Sequence, residues 1–564
     1  MTALEAALAG ESFAAIFNLG NLLIFLFLSL GNTALLTLVA GKFLLALQQC
    51  GYKGKRYLKW VRGKHNGYFS RLMLLSLMSI LFFCVTCMCF STIGGEWVRP
   101  SAYIGLLAYL LFILVYLDAE RHVTAKLPLK MTRRLVRLIV TYVLLQLILN
   151  FGLIVLTNYI VFATKSELYF ILRYFPICFL PLLAPFVLWL AYIINEPMER
   201  ANNRRYIRDC KRVLDQSDIV KIGITGSFGK TSVKNILTGI LSQKYRVLST
   251  PGSYNTPLGI SLTVKKLDAT HDIFIAEMGA RHVGDISDLA AIVKPQYAVL
   301  TGVNTQHLES FGSEEKILET KFELFEGLSP DGVGFFSADN AGSLELYRRF
   351  GGTKFLAGIS EGDDLVFADE IDISEHGTAF TLRIRGEKPV HCLTTLLGKH
   401  NISNICLAAA VAYRLGMSPT EIALGINKLS AIEHRLALLP NHREIVIIDD
   451  SYNANEDGIA VALEVLSTFP GRKIVVTPGL IELGARENEA NYAFGKQLAE
   501  KADKVIVVGR HNAEMLIKGM LDAGMQREDI LFERNLSRGN ERLNEIVEKG
   551  DVVLFENDLP DTYS

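Results

Sequence analysis

Hydrophobic and polar positions follow two different rules along this chain. Up to about residue 195, apolar residues run nearly unbroken through 19–40, 72–90, 102–117, 135–163 and 171–194. Stretches of about 20 apolar residues have the length a helix needs to cross a bilayer, so five spanning helices are predicted. Gly31-Asn32 interrupts the first stretch, which leaves open a hairpin there and a sixth crossing. After residue 195 the rule changes. Short apolar runs of strand length, bounded by turn residues, alternate with helical periodicity, the pattern of α/β domains on parallel sheets. Strands are expected at 219–224, 272–277 and 297–303. From 335 to 395 a Gly- and Asp-punctuated insertion with alternating F-T-L-R-I-R predicts a small antiparallel sheet. Further strands at 444–448, 473–477, 504–508 and 552–555 alternate with helices, as in a Rossmann-like terminal domain.

Charge sharpens the first half. Lys53, Lys55, Arg56, Lys59, Arg62 and Lys64 follow the first apolar stretch, and Arg121, Lys126, Lys130, Arg133 and Arg134 follow the third. Basic connections face the cytoplasm, which puts the nearly neutral connections near 96–99 and 165–167 outside. Arg204, Arg205, Arg208, Lys211 and Arg212 then lie inside, so the expected location is a multi-pass cell-membrane protein with its α/β half cytoplasmic. The basic loop 53–64, with Tyr57, Trp60 and Tyr68, reads either as a topology signal alone or as an interfacial surface near anionic head groups. Asp118, Glu120 and His122 fit a span's flank better than a proton relay. The 58 basic and 58 acidic residues give zero net charge, and in the α/β half no basic face with interleaved aromatics points to nucleic acid. Of eight cysteines, the cluster C-V-T-C-M-C at 84–89 sits in an apolar run without His or carboxylate, so inert, buried thiols are expected. Glu5 and Glu11, with no basic residue before Lys42, argue against a cleavable signal.

The chemistry begins at I-V-K-I-G-I-T-G-S-F-G-K-T-S, 219–232. A hydrophobic strand ends in a glycine turn and a helix follows. Gly226, Ser227 and Gly229 let backbone N–H groups turn toward phosphate oxygens, Lys230 adds positive charge, Thr231 and Ser232 open the helix, and the Thr231 hydroxyl suits Mg2+. Ile224 stands where the longer phosphate-loop pattern has its first glycine. The strand D-I-F-I-A-E ends on Glu277 and the next runs into N-T-Q-H-L, bringing His307 to the same sheet edge. Such a carboxylate beside a phosphate loop is placed to hold Mg2+.

These segments, together with Y-N-T-P-L-G-I, E-M-G-A, N-T-Q-H-L-E-S-F-G-S, E-T-K-F-E-L-F, G-K-H-N-I-S-N, E-H-R and I-D-D-S-Y-N-A-N, resemble the Mur ligases over about residues 221–509. The likeness is to the branch that adds D-alanyl-D-alanine to a UDP-muramoyl tripeptide. It implies ATP and two Mg2+ sites. It assigns Lys230 and Thr231 to the β- and γ-phosphates, and Glu277 and His307, with Thr231, to metal. Lys321 matches a lysine these enzymes carbamylate, although spacing alone would make it a solvated helix charge. Asn404 matches an adenine contact, Arg435 a phosphate contact and Asp450 a nucleotide contact. From the residues alone, Asn404 could be a helix cap and Asp450 a turn residue. Asn255 and Thr256 match an acceptor-binding turn.

The expected organisation is a transmembrane domain at 1–195, a basic linker helix at 196–217, a P-loop ATP-binding domain with a parallel sheet at 218–432 and a Rossmann-like domain at 433–564. The family's usual sugar-nucleotide-binding domain is replaced by membrane spans. Its Lys-Gly-Ser-Arg type of motif is replaced by F-E-N-D-L-P-D, 555–561. The expected activity is ATP-dependent amide formation through an acyl phosphate, catalysed with Lys230, Glu277, His307, Lys321 and Arg435. An amino acid or dipeptide would join a carboxylate on a membrane-associated, lipid-linked wall precursor. Alternatives are a polyglutamate-type synthase and a non-catalytic ATP-binding scaffold.

Overall fold

The computed structural model describes residues 18–63, 67–91, 98–121, 129–164, 175–304, 311, 313–359, 365–374, 376–430, 436–439, 444–451, 456–481, 483 and 486–556. The chain divides into two compact units, 1–202 and 203–564.

The first unit is helical. Its long helices are α1 (Leu19–Val39), α2 (Gly67–Ser91), α3 (Val98–Arg121), α4 (Arg133–Thr164) and, up to residue 202, α5 (Leu180–Asp215), whose last residues belong to the second unit. Among the described residues, five helices are thus long and apolar enough to cross a membrane. Many of their large apolar side chains face outward, among them Leu23, Phe27, Leu81, Leu107 and Ile148, as expected where lipid replaces water. The expected break at Gly31-Asn32 does not occur: α1 runs through it. Asn32 instead serves the interior. Its amide donates to Asn150 Oδ1 at 2.5 Å and its carbonyl oxygen accepts from Tyr109 OH at 2.8 Å, tying α1 to α4 and α3. A polar side chain inside an apolar bundle costs little when paired in this way. The cysteine cluster lies on α2, where Cys87 is buried, but Cys84 is only half-buried and Cys89 is exposed, because helical periodicity turns one of them to the outer surface.

The second unit is α/β. Its nine-stranded sheet has the order β2-β3-β1-β4-β5-β6-β7-β8-β9, the strands being β1 (Val220–Thr225), β2 (Val247–Ser249), β3 (Ile273–Glu277), β4 (Tyr297–Leu300), β5 (Val333–Ser337), β6 (Thr353–Gly358), β7 (Val366–Ser374), β8 (Gly377–Ile384) and β9 (Val390–Thr394). Strands β1 to β7 pair in parallel. The antiparallel pairs β7–β8 and β8–β9 extend the same sheet. The expected separate small sheet is therefore an extension of the main one, and Phe335 belongs to the parallel strand β5. The sequence alternation identified antiparallel pairing but carries no information on which edge the hairpin joins.

Strand β1 is central and almost wholly buried, with β3 and β4 on either side. Register pairs Ile224 with Glu277 and Thr225 with Leu300, so three strands end together at one edge. Ligands of open parallel sheets bind at such carboxyl ends. Strand β4 stops at Leu300, and the residues expected to continue it to 303 form part of that edge. Helices α6 (Lys230–Leu241) and α9 (Lys399–Arg414) pack together on one sheet face, while α7 (Asp285–Val293) and α8 (Glu314–Glu326) cover the other.

A second sheet has the order β10-β11-β15-β12-β13-β14. Strands β11 (Val446–Asp450), β12 (Lys473–Thr477), β13 (Lys504–Val508) and β15 (Val552–Glu556) fall close to the expected positions. Strands β10 (Ala437–Leu439) and β14 (Ile530–Glu533) were not legible as strands, being three and four residues long at the sheet's edges. Only β10 runs antiparallel.

Candidate active site

The site grows from the turn between β1 and α6. Ile222 and Ile224 anchor the strand in the core, and the chain then reverses through two glycines. At Gly226 a Cβ would come within 2.1 Å of Thr301 Oγ1, so no larger residue fits without moving the loop. Gly229, at φ 75°, is left-handed and precedes the first helical residue, Lys230. Hydrogen bonds sew the loop to the neighbouring strand ends. The Ser227 N–H donates to the Gly302 carbonyl at 2.7 Å, Met278 N–H donates to Ile224 O at 2.8 Å, and Thr301 Oγ1 donates to the Phe228 carbonyl. The loop is held open at a helix amino terminus, where N–H groups attract anions. Lys230 folds back on it, its ammonium donating to Gly226 O at 2.7 Å and Ser227 O at 3.0 Å.

Glu277, at the end of β3, is 1% exposed yet fully engaged. Its Oε2 accepts from Thr231 Oγ1 at 2.9 Å and from Lys234 Nζ at 3.0 Å, and its Oε1 accepts from Asn255 Nδ2 at 3.2 Å. Lys234 is itself 1% exposed and also donates to the Gly252 carbonyl. Sequence reasoning missed Lys234. The signal was its spacing: four residues past Lys230, it lies one turn further along the same helix, on the face turned to β3. The Thr231 hydroxyl beside an anionic carboxylate at a phosphate-type loop is the oxygen donor set a hard divalent cation takes.

Asn255 thus meets Glu277 directly. Thr256 caps the next helix, accepting from Gly259 N–H at 3.3 Å. Ser232 is half-buried in the first turn of α6. Lys321, on α8, is not a solvated helix charge: it is 4% exposed, beneath the Phe311 ring at 5.9 Å. Burial first, and the Lys230 ammonium second, bring its pKa down to about 7, against opposing pulls from Glu323 and Asp285. Helix α8 is held by Glu323, whose carboxylate accepts from Gly284 N–H at 2.7 Å and Ser287 N–H at 2.8 Å at the start of α7.

Asn404 is no helix cap, because Gly398 occupies that position. It sits in the second turn of α9 with Oδ1 3.1 Å from where a Gly229 Cβ would be, directly against the phosphate-type loop. Asp450 ends β11 on the other sheet, where its Oδ1 accepts from Leu436 N–H at 3.2 Å. That bond holds the residue next to Arg435. Across the sheet Asp450 is in register with Glu556, whose buried carboxyl is pushed well above the usual range by burial and by Asp450. His307 and Arg435 lie outside the described residues, as does 557–561 of the departing segment. Loop, Lys230, Thr231, Glu277, Asn255 and Asn404 therefore converge at one sheet edge, with Lys321 electrostatically coupled to Lys230, while Asp450 belongs to the second sheet.

Comparison with known proteins agrees with this layout. The Mur ligase middle domain matches residues 224–412, and the Mur ligase glutamate ligase domain matches 434–556. UDP-N-acetylmuramoyl-tripeptide–D-alanyl-D-alanine ligases are similar: that of Escherichia coli is 34% identical over 52% of this chain and 65% of its own length. That of Bacillus subtilis is 30% identical over 59% of this chain and 72% of its own length. Among solved structures, MurF from Acinetobacter baumannii superposes with a TM-score of 0.58 at 25% identity, covering 64% of this chain and 78% of its own. MurF from Thermotoga maritima in complex with ADP gives 0.57 at 26% identity, covering 63% and 80%. The chain spans about two thirds of the Escherichia coli relative, and the matched family domains begin only after the helical unit. With both family domains in order and the strand-end carboxylate beside the glycine loop, the chain belongs to the Mur ligase family of ATP-dependent amide ligases.

Proposed function

We propose that this protein is a membrane-embedded ligase of peptidoglycan assembly. It joins an amino acid or short peptide to a carboxylate on a membrane-associated, lipid-linked precursor. The observation that carries this reading is the convergence of Lys230, Thr231 and Glu277 at one loop, with the Lys321 amine buried and within electrostatic reach of Lys230, in a chain whose described residues include five helices able to span a bilayer. The curated relatives are named for a UDP-linked tripeptide and D-alanyl-D-alanine; here the helical unit stands where a soluble sugar-nucleotide grip is expected, which favours an acceptor presented at the membrane.

In the reaction, a carboxylate oxygen of the acceptor attacks the γ-phosphorus, ADP departs, and an acyl phosphate forms. The amine nitrogen then attacks the acyl carbon, and inorganic phosphate leaves as the amide closes, the surplus proton on nitrogen passing to the departing phosphate or to water. The β- and γ-phosphates sit on the loop N–H groups, with Lys230 unfolding from the loop carbonyls to meet them. Asn404 lies against the loop, where adenine would pass, and Asp450 with Arg435 comes from the terminal domain as it closes. Mg2+ held by Thr231 and Glu277, with His307, would neutralise phosphate charge. Lys321 is proposed to carry a carbamate: near neutral pH about half of such lysines are unprotonated, and that nitrogen attacks CO2, releasing one proton and leaving an anionic oxygen ligand. Asn255 and Thr256 line the acceptor side. The ligase domains face the cytoplasm, where ATP is.

The test is to incubate the full-length protein with ATP, Mg2+ and D-alanyl-D-alanine or single amino acids. Lipid-linked wall precursors are supplied in one series and UDP-N-acetylmuramoyl-tripeptide in the other, and new amides are sought by mass. A product on the lipid-linked acceptor supports the reading. Product only on the soluble nucleotide sugar overturns the membrane assignment, and ATP binding without ADP release under every condition overturns the enzyme.

A further inference from the structure

Lys234 is a full positive charge in the core of the candidate site, and the proposed chemistry gives it no task. Its ammonium and the Thr231 hydroxyl share one acceptor, Glu277 Oε2, at 3.0 Å and 2.9 Å. A cation seated at Thr231 must therefore use the oxygen on which Lys234 already rests. Both side chains of the Lys234–Glu277 pair are 1–2% exposed, so water screens them little.

We propose that Lys234 is a positioning residue that reserves Glu277 for a metal arriving with nucleotide. The ammonium cancels the carboxylate's charge in the empty site and repels a free divalent cation. At a separation of about 5 Å and an effective dielectric of about 20, that repulsion is many times the thermal energy. Loss of one lysine contact cannot offset it. Phosphate oxygens change the balance: a magnesium ion already bound to the β- and γ-phosphates brings enough negative charge to tolerate Lys234. Small, reluctantly dehydrated Mg2+ is ordinarily held by one or two carboxylates plus phosphates, not by an all-protein cage. Lys234 also donates to the Gly252 carbonyl, in the turn that carries Asn255. One group thus fixes the spacing between the metal carboxylate and the acceptor-side turn.

This inference rests on the nucleotide and metal reading above, and its test separates the two. Full-length wild type, Lys234→Met and Lys234→Arg are titrated with Mn2+, following the free-ion electron paramagnetic resonance signal, with and without a nonhydrolysable ATP analogue. Wild type and Lys234→Arg should bind Mn2+ tightly only with the analogue. Lys234→Met should bind nucleotide-free Mn2+ at least about tenfold more tightly than wild type, as removal of a repelling charge requires. Equal nucleotide-free affinities in Lys234→Met and wild type overturn the proposal, as does an equal shift in Lys234→Arg, which keeps the charge. Should Lys234→Met fail to fold, Lys234→Gln replaces it. Independently of any variant, wild type that binds Mn2+ equally with and without the analogue also overturns it. If wild type fails to bind the analogue at all, the nucleotide reading itself falls, and this inference with it.

Discussion

Lys321 shows what a single residue's surroundings can do to its charge. Burial and Lys230 bring its pKa from 10.5 to about 7. Between those values the unfolded chain holds a proton that the folded protein lacks. Stability therefore falls as pH drops from 10.5 toward 7, and the loss levels off below 7. Lys321→Met should melt higher than wild type in CO2-free buffer. The margin, a few degrees, should be greatest at pH 7 and shrink through pH 8 and 9; a margin that stays constant with pH contradicts the burial argument. The proposed carbamate adds a separate expectation. Lys321→Ala should lose most of its ligase activity and regain part of it with added short carboxylates, measured as ADP release; full activity without rescue argues against the carbamate. Lys230→Ala should reduce turnover by roughly 100-fold or more, the usual consequence of losing a charge on the transferring phosphoryl group. Neither the burial of Lys321 nor the contacts of Lys234 could be read from the sequence, because both depend on residues many positions away.

At the scale of elements, the site depends on three strand ends stopping together. The alternation of apolar runs and helical periods is local, so the strands, helices and glycine turn were legible. Their meeting was not, except through resemblance. Gly226 shows the difference: the sequence marks a turn, but only the fold places Thr301 Oγ1 2.1 Å from a Cβ there. Gly226→Ala should weaken binding of a fluorescent ATP analogue by at least about tenfold, since the loop N–H groups must shift, while leaving the melting temperature within a few degrees. Normal nucleotide affinity in this variant means the loop is not the phosphate seat. The hairpin left open at Gly31-Asn32 failed for a related reason. Turn-forming residues mark a helix break only where no partner satisfies them, and here Asn150 and Tyr109 do so.

For the whole molecule, basic connections between apolar helices give a directional expectation. A C-terminal protease-cleavable tag should be cut in inverted membrane vesicles and protected in intact spheroplasts; the reverse pattern would place the ligase domains away from ATP. What the sequence determined by itself was the kind of each segment: spans from uninterrupted apolar length, strands and helices from period, and the phosphate-type loop from glycines before Lys230 and Thr231. Each is set by neighbours close along the chain. Tertiary structure alone decided that Glu277 is shared by Thr231, Lys234 and Asn255, that Lys321 is buried, and that Asn404 lies on the loop. Burial and pairing arise between residues distant in sequence, and no local pattern encodes them.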